Sequence, residues 1–443
     1  MYVPYNIRKV FEKASMRIRN KKMLIISHKD ADGFLSYALL QRCMEKDEIS
    51  RLFLNILTPD ILDSIPMDFD AYLFVDTGNC LEKNIFERFR NKTVIILDHH
   101  PTSYNKIFHS QNHFNINAYL LGMDGNKDIC SAGLSYLLSK SVSKYAFEGY
   151  FYIPVAGAFA DMQISREIKG FNSFFLHNAL ARGEMTIEKS LILPAKSVRP
   201  LYKSIEFFMN DRGIEYTSYD AILFLKNIGV NPYKMDLFRR IPRKADDLSE
   251  DEIKLISTHL AIELQERGVE SEEILREAYI IKNKYLLEEF VTLTNACVKL
   301  GYVDNGLSLV FKMKDMYHIY ENYRREIGKG FNKAYRNLQV HDNIAYYIFD
   351  KKDLRDSSLT GSIATMLNKK VMKEIIFIGY LNEDIIKFSI RSKNIDVNSL
   401  VREFCNRVPG CYGNGHPHAA GGTIPREHLN EFIEFLDTHA KTA

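Results

Sequence analysis

The sequence predicts an α/β fold: a parallel sheet with helices on both faces, then a helical insertion, then a smaller α/β domain at the carboxyl end. Two observations carry the first part. Over the first third of the chain, short, continuously apolar runs alternate with helical patterns, and strands apolar on both faces belong to parallel sheets covered by helices. Ionisable residues then fall at the carboxyl ends of those runs, where open α/β sheets bind ligands.

Taken in order, "MLIISH" (23–28) reads as a strand, "FLSYALLQRCMEK" (34–46) as a helix, "AYLFVD" (71–76) as a strand, "NIFERF" (84–89) as a helix and "TVIILDHH" (93–100) as a strand. The first strand is followed by His28, Asp30 and Asp32, the second ends in Asp76, and the third ends in Asp98, His99 and His100. A fourth acid, Asp161, closes the apolar, small-residue stretch "YFYIPVAGAFADMQ" (150–163).

With 443 residues, 46% of them hydrophobic and 12% aromatic, the chain can bury large cores and is expected to divide into two or three domains. Lys and Arg total 59 against 56 Asp and Glu, a net charge of +3, so any affinity for nucleic acid has to come from a local basic groove. The six cysteines (Cys43, Cys80, Cys130, Cys297, Cys405, Cys411) are scattered without a C-x-x-C pair. That argues against a disulfide framework or a zinc ribbon, and they read as packing residues. No apolar run approaches the ~20 residues of a membrane span, and the first residues lack the hydrophobic core of a secretory signal. A soluble, cytoplasmic protein is expected.

Carboxylates converging in one crevice repel one another unless divalent cations neutralise them. Oxygen donors mixed with imidazole suit Mn²⁺ best, with Mg²⁺ or Zn²⁺ next. A carboxylate shared by two ions ~3.5–4 Å apart would clamp a phosphate, and such a site hydrolyses phosphoesters. Each piece also has an ordinary reading. An Asp at a strand end is commonly a turn or helix cap. "DADG" (30–33) is also half of a calcium loop, although Gln41 stands where that loop requires Glu. His99 and His100 alone would pass for a surface pair. Their joint occurrence on successive strands favours metal.

"SHKDADGFLS", "VDTGN", "LDHHPT" and "AGAFADMQ" together resemble the four ordered motifs of the DHH phosphoesterase superfamily. That group includes RecJ single-strand exonucleases, short-oligonucleotide phosphodiesterases and a manganese pyrophosphatase class. The resemblance implies that His28, Asp30 and Asp76 hold one Mn²⁺ and that Asp32, Asp76, His99 and Asp161 hold a second, with Asp76 bridging and Mg²⁺ as the next choice of ion. Asp98 then orients an imidazole, and His100 faces the scissile phosphate. All the acidic motif positions are present, which speaks for an active enzyme.

"FSIRSKNIDVNSLVREF" (388–404) and "GNGHPHAAGG" (413–422) resemble the phosphate-binding end of the DHH-associated domain. The implied substrate contacts are Arg391, Ser392, Gly413, Asn414, Gly415 and His416. Glycines let backbone N–H groups crowd a phosphate and Arg forks onto its oxygens, although a glycine-rich turn between strands explains the segment as well. Asn414 stands where the family usually has a third glycine, and Asn tolerates left-handed backbone better than most residues.

The expected domains are 1–190 (DHH), 191–300 (helical insertion and connector) and 301–443 (DHH-associated). Residues 247–251 form an acidic helix opening. "EEFVTLTNACVKLGYVDNGLSLVFKM" and "YENYRREIGKG" look like archaeal RecJ-type proteins, in which the insertion resembles a docking module for a replication or repair partner such as a GINS-type factor or a helicase. A neck of Tyr and basic residues at 317–339 could stack bases of a single strand, or could be a solvated amphipathic helix. "RRIPRK" (239–244) is another basic cluster and reads as a loop rather than a binding site. The implied function is a Mn²⁺-dependent exonuclease on single-stranded DNA, with RNA also considered. The alternatives are a phosphodiesterase for very short oligonucleotides or a 3′-phosphoadenosine phosphatase, and a non-catalytic helicase accessory subunit.

Overall fold

The computed structural model describes residues 4–44, 48–102, 105–143, 149–164, 168–197, 199–269 and 274–440. The tail of the helix expected over 34–46 (residues 45 and 46) lies outside these, as do residues 270–273 of the insertion. The chain forms two compact units, residues 1–178 with 291–443, and residues 179–290.

The first stretch of the larger unit runs α1 (Tyr5–Ile18), β1 (Met23–His28), α2 (Ala31–Cys43), β2 (Ile49–Leu54), α3 (Pro59–Ser64), β3 (Ala71–Val75), α4 (Glu82–Arg88), β4 (Thr93–Asp98), β5 (His113–Asn117), α5 (Ser131–Val142), α6 (Tyr152–Ala160) and α7 (Gly170–Ala181). Strands β1 to β5 make an all-parallel sheet in the order β2-β1-β3-β4-β5. Ile25, Ile26, Leu73, Phe74, Ile95 and Ile96 are all fully buried, each contributing roughly 1.5–3 kcal/mol of burial free energy. Leu24, Ile26, Phe74 and Ile96 pack in one cluster with Ile85 and Phe89 at α4, while α2, α5 and α6 pack together. The strand order turns back between β1 and β3, and ligand crevices open beyond the carboxyl ends at such a point. A Cβ on Gly33 would lie 2.4 Å from the carbonyl oxygen of His28, so glycine is what lets α2 start directly above the tip of β1.

The smaller unit contains β6 (Met185–Leu191), α8 (Leu201–Asn210), α9 (Ser218–Asn227), β7 (Tyr233–Asp236), β8 (Arg239–Pro242), α10 (Glu250–Glu266), β9 (Leu275–Ile281) and β10 (Tyr285–Leu286). Its helices close on Leu201, Phe208, Leu225, Ile256 and Leu260. Ser249 caps α10 in a reciprocal box with Glu252, which accounts for the acidic opening. Strands accompany the expected helices: β10-β9-β6 form an antiparallel sheet and β7-β8 a hairpin. They escape notice in the sequence because β6 exposes Glu188 and Lys189 and therefore shows no apolar run. "RRIPRK" is thus not a loop: Arg239–Pro242 is β8.

The larger unit resumes with α11 (Leu287–Lys299), α12 (Val303–Lys312), α13 (Tyr317–Arg336), β11 (Gln339–Val340), β12 (Ile344–Phe349), α14 (Thr360–Lys370), β13 (Ile375–Asn382), β14 (Ile385–Ser392), α15 (Val397–Cys405), β15 (Tyr412–His416), β16 (Ala419–Pro425) and α16 (Leu429–His439). Its sheet has the order β11-β12-β13-β14-β16-β15, antiparallel except at β12-β13, over a core of Phe377, Phe388, Phe404 and Phe432. The expected base-stacking neck is α13. Tyr320 and Tyr323 are buried with Ile319 and Ile327, as in an amphipathic helix, so those two rings are not offered to bases, whereas Tyr335 is exposed beside Phe331. Cys405 and Cys411 form a disulfide with Cα atoms 4.7 Å apart, which corrects their reading as packing residues. Their spacing hid the pair because a helix end and a strand start have to meet to make it. No helix among the described residues is long and apolar enough to cross a membrane.

Candidate metal centre

The carboxyl ends of β1, β3 and β4 deliver the polar groups to one place. Asp30 caps α2 by accepting from the Gly33 N–H through Oδ1 (3.0 Å), which turns Oδ2 toward His28 Nδ1 at 2.6 Å. Asp76 follows β3 with φ of 57°, a left-handed conformation that Asp adopts more readily than most residues. Its Oδ2 lies 3.5 Å from His28 Nδ1 and its Oδ1 3.4 Å from His99 Nε2. His99 Nε2 is also 3.1 Å from Oδ2 of Asp161, the residue that ends α6.

Among the described residues four groups of ligand atoms result, each with all members within 4.8 Å of one another: Asp76, Asp98 and His100; His99, His100 and His416; and the two made of the expected ligands, Asp32, Asp76, His99 and Asp161, and His28, Asp30 and Asp76. Asp76 belongs to both of the latter. Asp76 Oδ2, His99 Nε2 and Asp161 Oδ2 are buried and complete no hydrogen bond, a costly state that a cation among them relieves. The donor set and these orphaned atoms fit divalent metal.

The electrostatics point the same way. Burial raises the Asp32 carboxyl well above its usual range, reinforced by the charges of Asp161 and Asp76. Burial also opposes ionisation of Asp76, yet the close imidazoles of His28 and His99 hold it well below the ordinary value. For His28 and His99 burial works downward, and the flanking carboxylates more than reverse it. These opposing shifts come from acids and imidazoles packed together, where a bound cation would offset the carboxylate charge.

Around them sit residues that orient the donors. Both oxygens of Asp32 accept backbone N–H groups at the start of α5, from Ser131 at 2.8 Å and Ala132 at 3.0 Å, and Ser131 Oγ donates to Asp76 Oδ1 at 2.9 Å. His99 Nδ1 faces the Gly125 carbonyl at 2.6 Å, leaving Nε2 for the site. Asp98 Oδ1 meets His100 Nδ1 at 2.8 Å, so the imidazole that Asp98 fixes is that of His100. Asn79 donates its N–H to Asp98 and its side-chain amide to the His100 carbonyl. Asn79 closes the quoted motif "VDTGN" but was given no role there, and Ser131 and Gly125 carried no signal in the sequence, because a residue at a helix start or loop looks the same whether or not a site lies beside it.

The substrate-side residues divide. His416, on β15, brings its ring 5.8 Å from that of His99 and 5.4 Å from that of His100. Gly413, Asn414 and Gly415 lie on the same strand, so the segment is a sheet edge rather than a loop, and Asn414 needs no left-handed backbone. Arg391 is on β14, its Nε donating to Thr365 Oγ1 (3.0 Å) and Nη1 to the Ile390 carbonyl (2.8 Å), and burial lowers its pKa to about 10. Ser392 is buried and caps the next turn through the N–H groups of Asn394 and Ile395.

Lys387 escaped the sequence reading. It sits two residues before Ser389 on the Arg391 face of β14, bonded to the Ser357 carbonyl at 2.9 Å. Burial lowers its pKa to about 7, with Lys299 adding to the effect. Between pH 7 and the unfolded value of 10.5 the unfolded chain keeps a proton that the fold releases, so stability rises with pH across that window. Lys387→Met is expected to flatten this rise and to stabilise the protein at pH 7 by on the order of 1 kcal/mol. Thermal melts between pH 6 and 10 check it, and a melting temperature lowered at every pH would refute it.

Residues 22–158 match the DHH family, N-terminal domain, and residues 342–442 match the DHHA1 domain. An uncharacterized protein of Methanocaldococcus jannaschii is 25% identical over 454 residues, covering 97% of each chain. RecJ from Thermus thermophilus, solved in complex with Mn²⁺, shares the fold with a TM-score of 0.58 and 14% identity over 100% of this chain, which spans 56% of that one. CDC45 from Entamoeba histolytica gives a TM-score of 0.64 and 12% identity over 98% of this chain and 99% of its own. Residues 22–158 thus form a DHH-family domain and residues 342–442 a DHHA1 domain, in a chain whose fold is RecJ-like over its whole length.

Proposed function

We propose that this protein is a metal-dependent exonuclease of the RecJ-like kind, hydrolysing phosphodiester bonds in single-stranded DNA, and RNA as a second substrate, in replication or repair. The observation that carries this reading is the bridging position of Asp76 between two ligand groups whose buried atoms lack partners. In it, His28, Asp30 and Asp76 hold one Mn²⁺, and Asp32, Asp76, His99 and Asp161 hold the other, with Mg²⁺ as a substitute.

Bound there, the pair of cations supplies Lewis acidity and lowers the pKa of a water to near neutrality. The protein's own groups do the rest. Asp98 holds the His100 ring so that Nε2 is free to meet a phosphate oxygen. His416 comes in from β15 with its ring 5.8 Å from that of His99 and 5.4 Å from that of His100; burial pushes its pKa down to about 4, so it serves as a neutral hydrogen-bonding group. Arg391, Gly413, Asn414 and Gly415 line the path of the strand, and the insertion at residues 191–300 docks a replication or repair partner.

The CDC45-like fold over the full length favours a second reading, an accessory subunit without catalysis; the intact ligand set weighs against it. A short-oligonucleotide phosphodiesterase is separated by chain-length dependence. The test is digestion of end-labelled single strands of DNA and RNA of several lengths with Mn²⁺, Mg²⁺ or chelator. Metal-dependent shortening that favours longer strands is expected, and no cleavage of any strand would overturn the assignment.

The site also depends on a close approach. A Cβ on Gly157 would lie 2.2 Å from Asp32 Oδ1 and 2.7 Å from Ala132 Cβ, so Gly157→Ala has to push the Asp32 carboxylate off its two N–H donors. Displacing a ligand's support lowers metal affinity by about 10–100-fold. Titration calorimetry with Mn²⁺ measures the loss, and an unchanged affinity would show that Asp32 is not a ligand.

A further inference from the structure

The β7–β8 hairpin is built against two ordinary preferences at once. Asp236 pairs with Arg239, leaving a loop of only Leu237 and Phe238. Leu237 has φ of 51°, a conformation that hairpin loops normally give to Gly or Asn because a larger side chain crowds the backbone. The side chains are also in water: Leu237 is 88% exposed, Phe238 97% and neighbouring Met235 68%. Folding gains nothing from an apolar pair placed this way, and such outliers mark contact surfaces.

The flanks indicate what is contacted. Lys234 is neutralised by Asp247 at 2.6 Å and Arg243 by Glu252 at 2.7 Å. Arg239 and Arg240, directly beside the tip, are exposed and make no ion pair among the described residues. The Arg240 guanidinium lies 4.3 Å from the centre of the Tyr233 ring, and the register places Met235 opposite Arg240. One face of the ribbon therefore carries an aromatic ring, a thioether and a stacked guanidinium, next to an aromatic tip. We infer that this hairpin contacts single-stranded nucleic acid: Phe238 and Leu237 stack on or wedge between unpaired bases while Arg239 and Arg240 take the adjoining phosphates. An apolar pocket on a protein partner would explain the tip but not two exposed arginines that make no ion pair among the described residues, even with Asp236 across the ribbon from Arg239.

The inference rests on the reading of single strands as the substrate, and the test separates the two. Binding of a labelled oligothymidine is measured in chelator, where nothing is cut, and hydrolysis of a dinucleotide with Mn²⁺ reports on the metal centre alone. The Leu237→Gly/Phe238→Ser variant relaxes the turn, so its melting temperature is expected to stay level or rise while strand affinity falls about tenfold. Arg239→Ala/Arg240→Ala is expected to reduce the slope of log affinity against log salt by about 1.4. Both variants should cut the dinucleotide at the wild-type rate. If both bind the strand as wild type does, the hairpin assignment is overturned and the tip belongs to a protein pocket. If the wild type neither binds strands nor cuts the dinucleotide, the functional reading falls with it.

Discussion

Asp76→Ala is expected to slow phosphodiester hydrolysis by about 10³-fold or more, the largest loss of any single substitution in the chain. Charge stabilisation by bound metal contributes several kcal/mol to such reactions, and roughly 4 kcal/mol corresponds to three decades in rate. Asp76 is the one residue shared by both ligand groups, so its removal disorganises both, whereas losing Asp30 or Asp161 leaves one intact. Its replacement also strands the hydroxyl of Ser131, which donates to it. Steady-state rates with saturating Mn²⁺ measure the effect, and a variant within tenfold of wild type would remove Asp76 from the chemistry.

The second large effect concerns stability. Metal bound at 100 times its Kd stabilises a fold by about 2.7 kcal/mol, and for a domain of this size that corresponds to roughly 5 °C in melting temperature. Mn²⁺ should therefore raise the melting temperature of the wild type, and that of Asp161→Asn by a smaller amount, since the His28, Asp30 and Asp76 group stays intact. In chelator the order should be level or reversed. Asp161 adds its charge to the burden already raising Asp32, and the amide relieves that repulsion. A variant responding to Mn²⁺ as fully as wild type would place Asp161 outside the centre.

These expectations start from strand tips that a reader of the sequence can find. An apolar run ending in "HKDAD", "VD" or "LDHH" announces a parallel strand and its carboxyl end together, because burial on both faces forces the apolar run and solvent at the tip permits the charge. Asp161 was legible for the same reason, as an acid ending an apolar helix. What orients these groups was not. The Ser131 and Ala132 amides reach Asp32 only because α5 starts opposite α2, and His99 takes its direction from a backbone carbonyl, at Gly125, which no side-chain pattern encodes. The strands of residues 179–290 were hidden by their exposed charges. Lys387 was passed over because its low pKa comes from tertiary burial rather than from its neighbours in the chain.

The larger unit is assembled from residues 1–178 and 291–443, which has a consequence for the order of events during synthesis. Every ligand of the proposed metal pair emerges from the ribosome before residue 162, while His416 and Arg391 follow more than 200 residues later. If the proposed function holds, a nascent chain presents its metal ligands well before it can grip a strand, so that cleavage would begin only once residues 391–416 have been made.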